Sequence, residues 1–240
     1  VPITNDPLTG DRVVSPYETY PAAQTISNSE TPELYSTHPF RYYTLGTEFS
    51  QGVDINPSIY CLESSNRSTC RNADANTGWT QGVSCVFLSF SLFLTQTNKQ
   101  TYIHHINSPK QVLNAALLGR SKRASSMVLD RASVDPAIGY VFPGFAPHFQ
   151  DYEPSADHFA NVNTALQLML IQPLDDALEN ASFILFPAWP CSWDVDFKLH
   201  APRSTIVSGR LVNGTLLDLD VSPSSRRSHA IIKPCQQIVD

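Results

Sequence analysis

The sequence is poor in charged residues, and its basic residues are not concentrated in any one stretch. Charged residues make up 16% of the chain, and 16 Lys and Arg against 22 Asp and Glu give a net charge of −6. The basic residues form only two short groups, Arg120 to Arg123 and Arg226–Arg227. Neutralising phosphates requires a concentrated basic surface, so we expect no nucleic-acid partner.

The sequence also lacks an apolar run long enough to span a bilayer. The longest run, Val83 to Leu94, is interrupted by three serines and is too short for a membrane helix. The chain opens on a polar, proline-containing stretch, Val1-Pro2-Ile3, and not on a signal peptide. This beginning is typical of a mature or processed product, or of a piece of a longer protein.

Patterns that bind metal ions are missing as well. There is no CxxC pair and no cysteine–histidine spacing suited to zinc. His104 and His105 are adjacent, whereas two histidines on one helix face stand four positions apart. We therefore expect neither a metal site nor a cofactor.

What the sequence does contain points to an extracellular compartment. Three N-glycosylation sequons begin at Asn66, Asn180 and Asn213. Such acceptor sites are used only in the secretory pathway, so together with the cysteines they predict a secreted glycoprotein.

Four of the five cysteines stand where a disulfide is plausible. Cys61 and Cys70 bracket a short polar loop that contains one sequon, and Cys191 and Cys235 flank a strand-rich C-terminal segment. The fifth, Cys85, lies inside the apolar run and is expected to be a buried free thiol. A partner for Cys85 outside this chain remains the alternative.

The periodicity of apolar residues divides the chain into two parts. Residues 1 to about 30 are expected to be irregular, and helical patterns follow, including Ser108 to Lys122 and about Asn161 to Gln172. From Ala181 the pattern changes to short alternating runs broken by Pro and turn residues, and Asn213-Gly214 is a strong hairpin signal. We predict a mainly helical unit over 1–180 and a β module over 181–240.

Five segments, in this order, resemble glycoside hydrolase family 95, which contains inverting α-L-fucosidases and many uncharacterised relatives. They read TPELYSTHPFRYYTLG, NTGWTQG, GYVFPGFAPHF, DHFANVNTALQLMLIQ and ILFPAWPCSWDVDFKLHAP. The last segment, from Ile184 to Pro202, is long and specific, whereas the others are short. The resemblance covers roughly Arg12 to Lys233, with gaps.

The resemblance implies a fold and a function. The family fold is an (α/α)6 toroid followed by a C-terminal antiparallel β-sandwich, and this chain resembles the second half of the toroid plus the sandwich. It implies an α+β multidomain protein, a secreted carbohydrate-active protein whose substrate is a glycan or oligosaccharide. A preceding N-terminal portion, or a partner chain, is expected to cover the half toroid.

Candidate site residues follow from the matched motifs. Asp157 aligns with the family's catalytic aspartate, which makes it a candidate general base, although His158-Phe159-Ala160 replace the usual Gly-Asn-Phe. His158, Trp79, His38 and Arg41 are the candidate substrate-binding residues. Inverting hydrolysis needs two carboxyl groups roughly 6.5–9.5 Å apart. The family's general acid, a glutamate, matches no residue here, so the isolated chain is expected to be inactive.

Plainer interpretations stand beside these. A carboxylate at Asp157 also suits the cap or first turn of a helix, and Trp79 also suits a protein core. Trp189 and Trp193 are expected to pack the sandwich against the toroid without touching a ligand. As a whole, the chain is alternatively a non-catalytic extracellular glycoprotein that reuses the scaffold for assembly or carbohydrate binding.

Overall fold

A computed structural model describes residues 2–5, 10–15, 34–63, 109–132, 156–174 and 181–233 of this protein. Its helices are α1 (Leu45–Gln51), α2 (Asn56–Glu63), α3 (Pro109–Leu117), α4 (Ser121–Ala132) and α5 (Ala156–Leu170), with a 3-10 helix at Ser224–His229. Its strands are β1 (Ile3–Asn5), β2 (Arg12–Val14), β3 (Ile171–Pro173), β4 (Phe183–Leu185), β5 (Val195–Ala201), β6 (Thr205–Val212), β7 (Thr215–Ser222) and β8 (Ala230–Ile232). The chain is an α+β mixture with antiparallel sheets, which confirms the coarse prediction.

The N-terminal segment is less irregular than predicted. β1 and β2 pair antiparallel, with Ile3 opposite Val14 and Asn5 opposite Arg12. Val13 and Val14 are buried, so this short hairpin contributes to the core. Each strand has only three residues, which is too short for the alternation of apolar and polar residues to be visible in the sequence.

α1 is a short helix with defined ends. The side chain of Thr44 accepts a hydrogen bond from the backbone N–H of Thr47, and the side chain of Thr47 accepts one from the backbone N–H of Thr44. The two bonds form a capping box. Gly52 ends the helix in the left-handed conformation, at φ 66°. A Cβ at Gly46 would lie 2.7 Å from the carbonyl oxygen of Pro173. α1 therefore lies directly against the end of β3, at a distance that only glycine permits.

α3 begins at Pro109 as predicted, but it does not run on to Lys122. Val112, Ala115, Ala116 and Leu118 are buried, but so are the residues between them, so α3 is enclosed on all sides from Val112 onward. The helix stops at Leu117, where Gly119 adopts φ 68°. The N–H of Gly119 donates to Ala116, and the N–H of Arg120 donates to Ala115. This Schellman arrangement ends the helix, and α4 starts again at Ser121.

α5 differs from its prediction at both ends. It begins at Ala156, so Asp157 and His158 belong to its first turn and not to a loop before it. It ends at Leu170, because the chain passes directly into β3. β3 pairs antiparallel with β4, and β4 pairs parallel with β8. This sheet joins residues on both sides of the predicted division at residue 180.

Gln172 ties the helices to this sheet. Its side chain is 1% exposed. Its Nε2 donates to the carbonyl of Ala116 at the end of α3, at 2.6 Å, and to the carbonyl of Leu168 in α5, at 2.9 Å. Ala116 is among the last residues of its helix, where carbonyl groups lack helical partners. The buried amide is therefore a second donor to the Ala116 carbonyl, which also accepts from the N–H of Gly119, and it fixes β3 against α3.

β5, β6 and β7 form an antiparallel meander whose two faces differ, as the alternation predicted. Val207, Leu211 and Val221 are buried on one face. Phe197 packs across Gly209, where a Cβ would lie 2.9 Å from the Asp218 carbonyl oxygen and 3.0 Å from the Phe197 ring. Phe197 also meets Phe186, which follows β4, edge to face at 5.7 Å between ring centroids. The two three-stranded sheets are thus in contact through these rings.

The predicted hairpin at Asn213-Gly214 is confirmed. Asn213 has φ 48° and Gly214 has φ 72°, and positive values at both central residues define a type I′ turn. The carboxylate of Asp194 accepts a hydrogen bond from the backbone N–H of Asn213 at 2.8 Å. Close to the turn the register shifts, since Arg210 faces Asp218 while Leu211 faces Leu216. Leu217 is the additional residue of this β-bulge.

The 3-10 helix is held in place by a buried arginine. Arg226 is 9% exposed. Its Nε donates to Thr205 Oγ1 at 3.1 Å, and its Nη2 donates to the carbonyl of Ala181. Within the described part of the chain it makes no ion pair. Its guanidinium therefore replaces lost water contacts with hydrogen bonds to the start of β6 and to the segment before β4, and this position depends on arginine geometry.

Two neighbouring arginines provide a matched test of this contact. We expect Arg226→Met to lower the free energy of unfolding by about 3 kcal/mol, since it leaves the Ala181 carbonyl buried without its donor. Arg227 is exposed and donates only to the Leu219 carbonyl, so Arg227→Met should cost about 0.5 kcal/mol or less. Urea denaturation of the intact chain measures both. Equal losses would show that the burial of Arg226 has no special role.

Candidate functional site

The loop that precedes α1 contains two of the predicted binding residues, His38 and Arg41. It folds into overlapping turns: the N–H of His38 donates to Leu34, and the N–H of Arg41 donates to Thr37. The carbonyl of Ser36 accepts from the N–H groups of both Tyr42, at 2.7 Å, and Tyr43, at 3.1 Å. Leu34, Ser36 and Thr37 are buried. The loop is therefore anchored from inside, and its remaining residues face outward.

The outward residues form a surface that we call the aromatic patch, made of Phe40, Arg41 and Tyr42. Phe40 is 62% exposed and Tyr42 is 59% exposed. Their rings are stacked, with centroids 6.4 Å apart and planes inclined by 30°. Arg41 between them is exposed and has φ 55°. A left-handed conformation is unfavourable for a residue with a Cβ, and such strain occurs most often at functional positions.

His38 lies at the inner edge of the aromatic patch. It is half-buried and precedes a cis peptide bond to Pro39. The sequence predicted His38 and Arg41 as binding residues, and the structure places both on one loop. It also shows what the sequence reasoning missed: Phe40 and Tyr42 flank Arg41 as solvent-exposed rings. The signal was present in the segment PFRYY, where two aromatic residues alternate with a cation.

An ion pair stands beside the loop. Arg12 Nη1 and Asp54 Oδ2 are 2.8 Å apart, and Asp54 Oδ1 also accepts from the backbone N–H and side chain of Asn56. Burial raises the pKa of Tyr43, Arg12 opposes that rise, and Asp54 adds to it. Asp54 thus accepts hydrogen bonds from three donors of Arg12 and Asn56.

The second predicted group, Asp157 and His158, occupies the first turn of α5. At this position a carboxylate interacts favourably with the helix dipole. α1, which directly follows the aromatic patch, touches the chain at Pro173, just beyond the other end of α5. Thirteen residues of rise separate Asp157 from Leu170, or about 20 Å along the helix axis. The structure thus anchors α1, which follows the loop with the patch, at the end of α5 opposite to Asp157.

Trp79 lies outside the described residues, as do Asn66, Asn180, Cys70, Cys85 and Cys235. Cys61 and Cys191 are disulfide-bonded. Their pairing with Cys70 and Cys235 stays a prediction.

The two tryptophans of the matched C-terminal segment pack against each other. Trp189 is buried, and its Nε1 donates to the carbonyl of Trp193 at 2.9 Å. The rings meet edge to face at 5.4 Å between centroids. Trp189 belongs to the hydrophobic core, and Trp193 packs against it from the rim. These contacts support a structural role for the pair.

A shallow depression of about 400 Å³ lies on the polar face of the β5–β6–β7 sheet. It is lined by Asp196, Lys198, Arg210 and Asp218 with the backbone beside them. Neither His38 nor Arg41 borders it. In the described part of the chain, no three His, Cys, Asp or Glu side chains are grouped closely enough to hold a metal ion. Nor does any helix there have the length and apolar character needed to cross a membrane.

Comparison with protein-family models, with curated proteins and with solved structures finds no match to this chain. The resemblance to glycoside hydrolase family 95 therefore depends on the motifs alone.

Asn213 is the one predicted glycosylation residue that the structure describes. Asn213 and Thr215 are both exposed at the tip of the β6–β7 hairpin. The backbone N–H of Asn213 is engaged by Asp194, so the turn is held without using the side-chain amide. The geometry suits a glycan that extends into solvent.

When the chain is produced through a secretory pathway, we expect Asn213 to carry an N-glycan. Enzymatic deglycosylation followed by peptide mass spectrometry should find Asp at position 213. Thr215→Ala is the matched control, because it destroys the sequon but leaves the Asn-Gly turn intact. Unmodified Asn213 in the secreted protein would contradict the prediction.

Proposed function

We propose that this protein is a secreted carbohydrate-binding protein built on a glycoside hydrolase-like scaffold, and that the aromatic patch is where it contacts a glycan. The observation that carries the proposal is the exposed, stacked pair Phe40 and Tyr42 on a loop anchored by internal hydrogen bonds. Aromatic faces pack against the C–H groups of sugar rings and exclude water there. Arg41 and His38 are the polar groups that would meet sugar hydroxyls.

Weak contacts between sugars and aromatic rings require a binding surface that is ordered before the ligand binds. Sugar stacking gains little free energy for each ring, so ordering a mobile loop on binding would consume most of it. Here the loop is already ordered by its bonds to the carbonyls of Leu34, Ser36 and Thr37. The match of THPFRYY to a pocket-lining segment of the family supports the same assignment.

The proposal also includes the overall architecture of the chain. We propose that the chain forms the second half of an (α/α)6 toroid that continues into a β-sandwich near residue 180, and the α+β mixture of helices and three small sheets supports this. In that arrangement a preceding segment or a partner chain completes the toroid.

Removing the rings tests the binding surface. On an array of immobilised polysaccharides, Phe40→Ala and Tyr42→Ala should each bind the best-recognised glycan about tenfold more weakly than the unchanged chain, since about 1.4 kcal/mol corresponds to a factor of ten. Phe49→Ala is the matched control, because Phe49 is 61% exposed but lies on α1 outside the patch. An equal effect of all three substitutions would refute the assignment of the site.

Hydrolysis is the second part of the proposal, with Asp157 as the general base that activates water. Its support is the ungapped match of DHFANVNTALQLMLIQ to the family's catalytic segment and the position of Asp157 at a helix start. The family's general acid lies upstream of the matched region. Catalysis therefore requires the protein that also contains that upstream segment.

Asp157→Asn tests this part in the intact source protein, with aryl fucosides and aryl galactosides as substrates. We expect the substitution to reduce the release of the aryl group by about 10² to 10⁴-fold, which is the usual contribution of a general base. Glycan binding at the aromatic patch should be unchanged. Full activity of the variant would exclude Asp157 as the base, and an inactive parent protein that still binds glycan would favour the non-catalytic alternative.

A further inference from the structure

We propose that the aromatic patch prefers anionic saccharides, with Arg41 pairing with a carboxylate or sulfate group of a sugar that stacks on Phe40 or Tyr42. This inference rests on the proposed function and adds the class of ligand. It follows from the charge, the exposure and the backbone conformation of Arg41.

The guanidinium of Arg41 is available for a ligand. It is exposed, and among the described residues it has no hydrogen bond or ion pair from its side chain. Three other described arginines are ion-paired: Arg12 pairs with Asp54, Arg120 with Glu63 and Arg210 with Asp196. Arg41 is thus an unneutralised cation on a chain whose net charge is −6.

The carboxylate that acts on the neighbouring Tyr43, Asp54, is already engaged. It accepts from Arg12 and from two donors of Asn56. Asp54 is therefore occupied by other donors, and the positive charge of Arg41 complements an anion.

Arg41 stands between the two aromatic residues in the sequence, and its backbone is held in place. It has φ 55°, its own N–H donates to Thr37, and the next N–H donates to Ser36. The backbone that bears the guanidinium is therefore ordered before a ligand arrives. A sugar stacked on either ring brings its substituents toward the guanidinium, whose fork matches a carboxylate or sulfate in two-point contact.

The test compares polymers that share a backbone and differ in charge. Polygalacturonate and its methyl ester form the carboxylate pair, and dextran sulfate and dextran form the sulfate pair. By calorimetric titration of the intact chain, we expect the anionic member of at least one pair to bind about tenfold more tightly than its neutral partner. The pair that shows the preference identifies the anionic group.

Variants distinguish a specific contact of Arg41 with the anionic group from general electrostatic attraction between protein and polymer. Arg41→Gln should abolish the preference, so that the charged and the neutral member of a pair bind equally, and Arg41→Lys should retain part of it. Lys198→Gln is the matched control, because it removes one exposed cation from the β5–β6–β7 face and should leave the preference intact. The preference of the unchanged chain should also decrease as salt is added, since the contact is exposed.

The outcomes distinguish failure of the anionic preference from failure of the proposed function. Equal binding of charged and neutral polymers, still dependent on Phe40, would overturn the anionic preference and leave the proposed function standing. Equal loss from Arg41→Gln and Lys198→Gln, or a preference that salt does not reduce, would also overturn it. If the chain binds none of the four polymers and no glycan of the array, the proposed function itself fails.

Discussion

The buried amide of Gln172 is the contact on which the relation between helices and sheet depends. It stands where α5 becomes β3, and it donates to carbonyls of both α3 and α5. The Nε2 group of this amide thus has two acceptors inside the core, and the contact restrains the direction of the chain here. Once β3 is fixed, the contact of Gly46 with Pro173 fixes α1 as well. The loop that bears the aromatic patch is attached to that helix.

The shape of the aromatic patch is thus set mainly by buried residues and backbone hydrogen bonds, and less by its own exposed side chains. Leu34 and Thr37 are buried beneath it, and the backbone of Ser36 accepts two hydrogen bonds from the residues that return toward α1. The exposed rings are placed by these interior contacts. Such a division of roles is common where a binding surface sits on a loop, since the scaffold supplies rigidity and the loop supplies chemistry.

Features of the fold that neighbouring residues in the sequence determine were predicted correctly. Features that depend on tertiary contacts were not. Asn213-Gly214 and the alternation along β5 to β7 were readable because turn type and strand period are set by neighbouring residues. The end of α3 was missed, although Gly119 marks it, because helix propensity continues through the segment that follows. Gln172 was assigned to a helix because its strand conformation depends on pairing with Ile184. For the site, the sequence singled out Arg41, but the exposure of the rings beside it depends on the hydrogen bonds that fold the loop.

The bulge at Leu217 has a consequence for how the protein behaves in a crowded solution. β7 is an outer strand of its sheet, and an unprotected outer strand can recruit a strand from another molecule. The additional residue interrupts the regular spacing of the backbone donors and acceptors, and Asp218 and Asp220 add like charges along the same strand. A second copy that approached this edge would meet an irregular and negatively charged border. The hairpin is thereby protected from open-ended self-association.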